Sequence, residues 1–176
     1  ERVVMMRRGF DKDLRFNDKI VPLRGFWADD SFFSVFSFPM LSGNVTTALT
    51  EPNSLVLTES SATKLFDGID VVGKSVQIDS VTYMVTGVMK DPPMNSHMRF
   101  DMLGSFVTID HQMHSEQDNE WMKWDNMWAT YVYLLLPEKG NVEAVKGSLS
   151  KMSEDGNKTI ENRKIHLYLE PLREIV

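Results

Sequence analysis

Ser54-Leu55-Val56-Leu57-Thr58-Glu59-Ser60-Ser61-Ala62-Thr63-Lys64-Leu65-Phe66 reads as a short apolar strand that turns directly into a capped helix. Leu55, Val56 and Leu57 make a continuous apolar run of strand length. Thr58 stands where a helix N-cap belongs, because its hydroxyl oxygen can accept from an orphan N–H of the first turn. Beyond it Ala62, Leu65 and Phe66 fall at i, i+3 and i+4, one face of a helix, and Gly68 is well placed to end it.

Outward from this unit, both flanks mix strands and helices. Upstream, Arg2 to Arg7 is strand-like, and Phe16 to Ala28 mixes aromatic and aliphatic residues in an extended pattern. Asp30 is placed to cap a short helix whose Phe32, Phe33 and Phe36 share a face. The neighbouring carboxylates Asp29 and Asp30 need no other explanation than a helix start. Downstream, Lys74 to Asp79 and Val81 to Val88 form a hairpin-like pair across Asp79-Ser80, a turn without Gly or Asn. Residues 128–136, the most hydrophobic stretch, end at Pro137 and read as a buried central strand. Asn141 caps a helix with Val142, Val145, Leu149 and Met152 on one stripe before Gly156. Ile165, Leu167 and Leu169 alternate with Lys164, His166, Tyr168 and Glu170, the pattern of a strand with one buried face. Residues 104–124 hold another helix or, from His111 to Glu120, a loop. This order lacks the strict alternation of a doubly wound fold and predicts an α+β architecture with antiparallel or mixed sheets.

Composition narrows the function. The 176 residues suit one domain or a compact pair of subdomains, and 42% hydrophobic with 25% charged residues is the balance of a globular protein. A net charge of −6 argues against a nucleic-acid partner, because phosphate binding needs clustered Lys and Arg. The longest basic cluster, Arg7-Arg8, reads as solvated strand-end charge. With no cysteine there is no disulfide, thiolate metal site or Cys nucleophile. No run approaches the roughly 18 apolar residues of a membrane-spanning helix.

The chemistry-bearing residues are few. His111 and His114, flanked by Asp110 and Glu116, have helix-face spacing but no second ligand group, so a polar surface helix or loop explains them better than a metal does. The twelve methionines are scattered through apolar positions as core filler. Trp121, Trp124, Trp128 and Tyr131 crowd together in sequence, as a ligand pocket, a protein interface or a packed core corner would require. No constellation of nucleophile, base and oxyanion donor is present, so no catalytic, cofactor-binding or metal residue is assigned.

One block is more specific. Ala28-Asp29-Asp30-Ser31-Phe32-Phe33-Ser34-Val35-Phe36, then Pro39-Met40-Leu41-Ser42-Gly43, the opening Ser54 to Phe66 unit, Val72-Gly73-Lys74 and Val85-Thr86-Gly87-Val88 together resemble the MacB-like periplasmic core domain of FtsX-like ABC-transporter permeases. The similarity continues through Pro92-Pro93-Met94-Asn95-Ser96-His97 and Leu169-Glu170-Pro171-Leu172. Asp30, Phe32, Phe33, Phe36, Gly43, Thr58, Glu59, Ala62, Leu65, Phe66, Gly73, Lys74, Gly87 and Val88 carry it. Read physically they are scaffold: apolar anchors, turns and a cap, with Gly87 marking a bulge or a close backbone approach.

The resemblance implies a porter-like α/β subdomain from residues 1–29 and 94–176, with an inserted, smaller, β-rich sabre-like subdomain at 30–93. It implies a periplasmic position on the bacterial inner membrane, with membrane helices flanking the domain. It further implies mechanical coupling to a separate ATPase for export or extraction of a peptide, macrolide-like compound or lipoprotein. Partners would be an ABC nucleotide-binding component, a second permease copy and a periplasmic adaptor; the domain itself would be non-catalytic. The rival reading is an extracytoplasmic small-molecule sensor with a pocket around Trp121, Trp124 and Trp128.

Overall fold

The computed structural model describes residues 2–109 and 123–174. In chain order these form β1 (Arg2–Arg7), β2 (Lys12–Phe16), β3 (Lys19–Leu23), β4 (Gly25–Ala28), α1 (Phe32–Val35), β5 (Met40–Gly43), β6 (Ser54–Thr58), α2 (Glu59–Phe66), β7 (Ser75–Ile78), β8 (Val81–Met89), β9 (Met102–Ser105), β10 (Thr130–Leu135) and α3 (Val142–Gly156). Ten strands make one mixed sheet in the order β10-β1-β4-β9-β6-β8-β7-β2-β3, with β5 paired to β8 off that path. The α+β class expected from the order of elements is the class observed.

Hydrogen bonding runs across the chain positions at which an inserted part was expected. Gly25–Ala28 pairs in parallel with Met102–Ser105, and β9 in turn pairs antiparallel with β6. The β2–β3 hairpin reaches the far end of the sheet through β7.

The sheet separates two apolar cores by simple alternation. Trp27, Leu55, Leu57 and Met102 point to one side, toward Phe10, Leu14, Ala62 and Leu65. Phe26, Ala28, Val56 and Leu103 point to the other, toward Phe32, Phe36, Met98 and Phe100. The period of two breaks in β8, where Val85 and Val88 both face the first core. The cause is a bulge: β6 pairs Leu55 with Val85 but Val56 with Gly87, so Thr86 is extra. Thr86 Oγ1 donates to the Ala48 carbonyl at 2.6 Å, which occupies the displaced residue. The bulge expected at Gly87 is present, and the backbone that comes close there is that of Gly43. Gly43, at φ +96°, crosses so near the Thr86 carbonyl and the Gly87 Cα that no Cβ fits.

Local chemistry places the caps, twice one residue from the expected position. Thr58 caps α2 as read, accepting from Ser61 N–H at 3.3 Å. The helix then ends on Asp67, not Gly68: Asp67 adopts the left-handed conformation at φ 63° and donates its N–H to the Thr63 carbonyl. Asp tolerates that region better than most side chains, so the glycine is not needed for it. At α1 the exposed Asp30 does not cap; the N-cap residue is Ser31, and Asp29 does the bonding. Its carboxylate accepts from Ser31 N–H at 3.0 Å and from Met5 N–H at 2.7 Å, tying the helix start to β1. Burial raises the Asp29 pKa above its ordinary value; the two N–H donors pull it down and the Asp30 charge pushes it up.

Of the other elements, one forms as read and the rest differ. Phe16 to Ala28 is two strands and a strand end, turned at Asn17 (φ 52°) and interrupted at Arg24. The β7–β8 hairpin forms as expected, with Asp79 at φ 52° supplying the conformation usually left to Gly or Asn. The apolar run at 128–136 is not a central strand: among the described residues β10 ends the sheet order, pairs only with β1 and has no buried residue. An apolar run reports burial capacity, and here one face is only partly covered while Val132 on the other is 57% exposed. Residues 164–170 keep their alternation, with Ile165 buried, but join no strand. Asn157 and Ser153 side chains bond the Ile165 and Leu167 backbone instead. Of the expected 104–124 element, Gly104 and Ser105 belong instead to β9, residues 106–109 are helical, 123–124 lie in a bend and turn, and 110–122 lie outside the described residues.

Candidate functional site

The aromatic block is built from α1 outward. One helical turn carries Phe32 and Phe36 onto the sheet; Phe32 is fully buried and Phe36 nearly so, while Phe33 is half-buried. Phe32 stacks on Phe38 at 5.5 Å and meets Phe100 edge-on at 6.1 Å. Phe36 meets the Tyr133 ring at 5.1 Å and so links α1 to β10. Thr58, Ala62, Leu65, Gly87 and Val88 are buried, whereas Asp30, Gly43, Gly73 and Lys74 are exposed and Glu59 and Phe66 lie between. Gly73 takes a positive φ of 88°, as a turn glycine does. Lys74 Nζ lies 5.3 Å from the Phe66 ring centroid. None of these groups is arranged to perform bond chemistry.

A cavity of about 700 Å³ opens beside β10. Its walls are Met6, Phe26, Phe36 and Met98 from the second core, Tyr131, Tyr133 and Leu135 from β10, and Tyr168, Glu170 and Leu172 from the C-terminal segment, with Arg8 and His97 as its basic groups. Arg8 projects its guanidinium over the Tyr131 ring at 5.0 Å. Tyr133 Oη and His97 Nε2 are 3.5 Å apart. Burial, joined by Tyr131, raises the Tyr133 pKa, and the Arg8 charge opposes the rise. Tyr133 therefore stays a neutral hydroxyl, a donor and acceptor rather than a base. The cavity is apolar with a few polar groups at its margin, the make-up of a binding surface.

Sequence reasoning placed its aromatic pocket elsewhere. Trp121, His111 and His114 lie outside the described residues. Trp128 is 76% exposed. Trp124 packs against Gly156 at the end of α3 and donates from Nε1 to Asn157 Oδ1 at 3.2 Å. Neither tryptophan lines the β10 cavity. Arg8 and Tyr131 do, and alternation along β1 and β10 is the signal that would have joined them. Among the described residues no group of three His, Asp or Glu side chains is placed to hold a metal ion.

With this geometry in view, the comparisons decide the family. The sequence model of the MacB-like periplasmic core domain matches residues 1–152. The chain belongs to that family. It is a periplasmic domain of the MacB-like ABC-transporter permease type, and such permease domains are generally non-catalytic. No helix among the described residues is long and apolar enough to cross a membrane.

Solved structures share the fold of this MacB-like domain at low identity. A domain assigned to a permease protein from Porphyromonas gingivalis aligns with TM-score 0.69 and 21% identity, over 89% of this chain and 70% of that one. The periplasmic region of MacB from Actinobacillus actinomycetemcomitans gives 0.64 and 14%, over 88% and 66%. The extracellular domain of the noncanonical ABC-type transporter YknZ from Gram-positive bacteria gives 0.61 and 14%, over 90% and 75%. The chain thus spans two thirds to three quarters of these structures' lengths. No curated protein matches it by sequence.

Proposed function

We propose that this MacB-like domain is a rigid lever, which transmits motion of membrane helices, driven by a separate ABC ATPase, into a stroke outside the membrane. The observation that carries this reading is the single sheet with a core on each face, joined edge to edge by hydrogen bonds. A body built this way resists bending, because any hinge would open either a ladder or a close-packed core. In this reading residues 30–93 are the sabre-like part and 1–29 with 94–176 the porter-like part, and ladder bonds between them make the two move together. A second permease copy and a periplasmic adaptor are the partners such a lever would work against. Peptides, macrolide-like compounds and lipoproteins are its candidate cargoes.

Spin labels at Ile20 on β3 and Val3 on β1, both exposed, test the lever in the intact permease. The label-to-label distance should be the same without nucleotide and with ATP, while distances from either label to the membrane change. A distance within the domain that moves by more than about 5 Å, the span of one strand spacing, would sink the lever.

A further inference from the structure

The outer edge of β10 has no ladder partner among the described residues. Arg8 donates its N–H to the Ala129 carbonyl at 2.8 Å, and the β1–β10 register continues from that pair through Met6 with Tyr131 and Val4 with Tyr133. Hydrogen-bonded and non-bonded pairs alternate in an antiparallel ladder, so the N–H and C=O groups of Thr130, Val132 and Leu134 point away from β1. No strand among the described residues lies on that side.

Sheets in proteins blunt such edges with charge, proline or a bulge. Thr130-Tyr131-Val132-Tyr133-Leu134-Leu135 has no charged residue and no proline, and its register with β1 is unbroken. Next to this edge lies the 700 Å³ cavity, lined by Tyr131 to Leu135 of β10 and shared with Tyr168, Glu170 and Leu172 of the C-terminal segment. At the beginning of the strand stands Arg8, which forms no ion pair among the described residues and packs on Tyr131.

We propose that β10 is a strand-addition site for an extended segment of another polypeptide, running antiparallel to it, with alternate apolar side chains and an acidic residue at its C-terminal end. An antiparallel strand bonds the outward groups of Val132 and Leu134 and sends every second side chain into the cavity against Phe36 and Met98. Its C-terminal end falls beside Thr130, where a carboxylate meets the Arg8 guanidinium. This surface is additional to the lever and does not depend on it.

The test uses the 176-residue chain and the synthetic peptide acetyl-Thr-Leu-Thr-Val-Thr-Asp. In the free domain the Val132 and Leu134 amides should exchange with solvent quickly, and the peptide should slow them while leaving β3 unaffected. Val132→Pro removes a donor that β1 does not use, and should weaken peptide binding at least about tenfold. Val132→Lys, which keeps the backbone donor, guards against misfolding of the proline variant and should also weaken binding. Arg8→Gln should weaken it about threefold and erase the preference for the peptide ending in Asp over one ending in Asn. Slow exchange at both amides in the free domain, protection that appears with rising protein concentration alone, or unchanged binding by both Val132 variants would each overturn the proposal. The second of these would assign the edge to another copy of this chain.

Discussion

The two ends of the sheet solve the same problem in opposite ways. At one end β3 carries Lys19 and Pro22, has β2 as its hairpin partner, and is tied to α2 by the Lys19–Asp67 pair at 2.6 Å. Both ions of that pair are exposed and add little stability, but with proline they make β3 a poor template for another strand. At the other end β10 has neither device, although its neighbour β1 is the better packed of the two, with Val4 and Met6 fully buried. Edge protection is therefore not a by-product of packing. It is written residue by residue, and where it is missing the open ladder is available for binding.

The comparison can be broken most forcefully from beneath β10. Phe32→Ala removes a fully buried ring from the core that supports this edge and should cost about 3–5 kcal/mol in denaturant unfolding. Amide exchange should then rise in β1 and β10 more than in β2 and β3; an equal rise at both ends would mean that the edges are not independently supported. Asp29→Ala, which orphans the Met5 and Ser31 N–H donors, should cost about 1–3 kcal/mol and loosen β1 where it meets α1.

Asp29 also predicts a direction with pH. Its folded pKa is raised, so between the unfolded and folded values the native state holds more proton than the unfolded one. Its contribution to stability is thus present at low pH and lost as pH climbs from the ordinary aspartate range through the folded value. Urea titrations at several pH values should show that downward slope shrink in Asp29→Asn; an unchanged slope would assign it to other groups.

On the β3 side, Thr58→Ala removes the α2 cap and should cost about 0.5–2 kcal/mol, with the β2–β3 hairpin, which leans on α2, loosened more than β10. The smallest effect is the sharpest check of edge protection. Pro22→Val should change stability by less than about 0.5 kcal/mol. Light scattering should nonetheless reveal increased self-association, because the variant adds an outward N–H at position 22 to the one Ile20 already offers on that edge. No change in association would leave Lys19 as the sufficient guard.

The parts of this fold legible from residues alone are those with a local cause. Thr58 is followed by the helical spacing of Ala62, Leu65 and Phe66, and an N-cap needs only its own first turn. Phe32 and Phe36 lie one turn apart and are buried together. Gly87 was readable as a backbone irregularity because a glycine inside a β-branched run has few other reasons to be there. The mistakes of detail were also local and small: Asp67 in place of Gly68, and Asp29 in place of Asp30, each a neighbour able to do the same chemistry.

Position in the sheet was not legible. The run from Thr130 to Leu135 is as apolar as a central strand, and hydrophobicity measures how much surface a segment can bury, not how many neighbours it has. Ile165, Leu167 and Leu169 alternate as a strand does, yet Asn157 and Ser153 take the backbone bonds that a ladder would have made. Arg8 and Tyr131 are far apart in sequence, and only the β1–β10 register puts a cation over that ring. By itself, then, the sequence determined the α+β class, the Thr58 cap and the aromatic anchors, because each rests on spacing within one element. Which strands became edges, and where the cavity opened, followed from long-range pairing, whose energy depends on partners that no single segment contains.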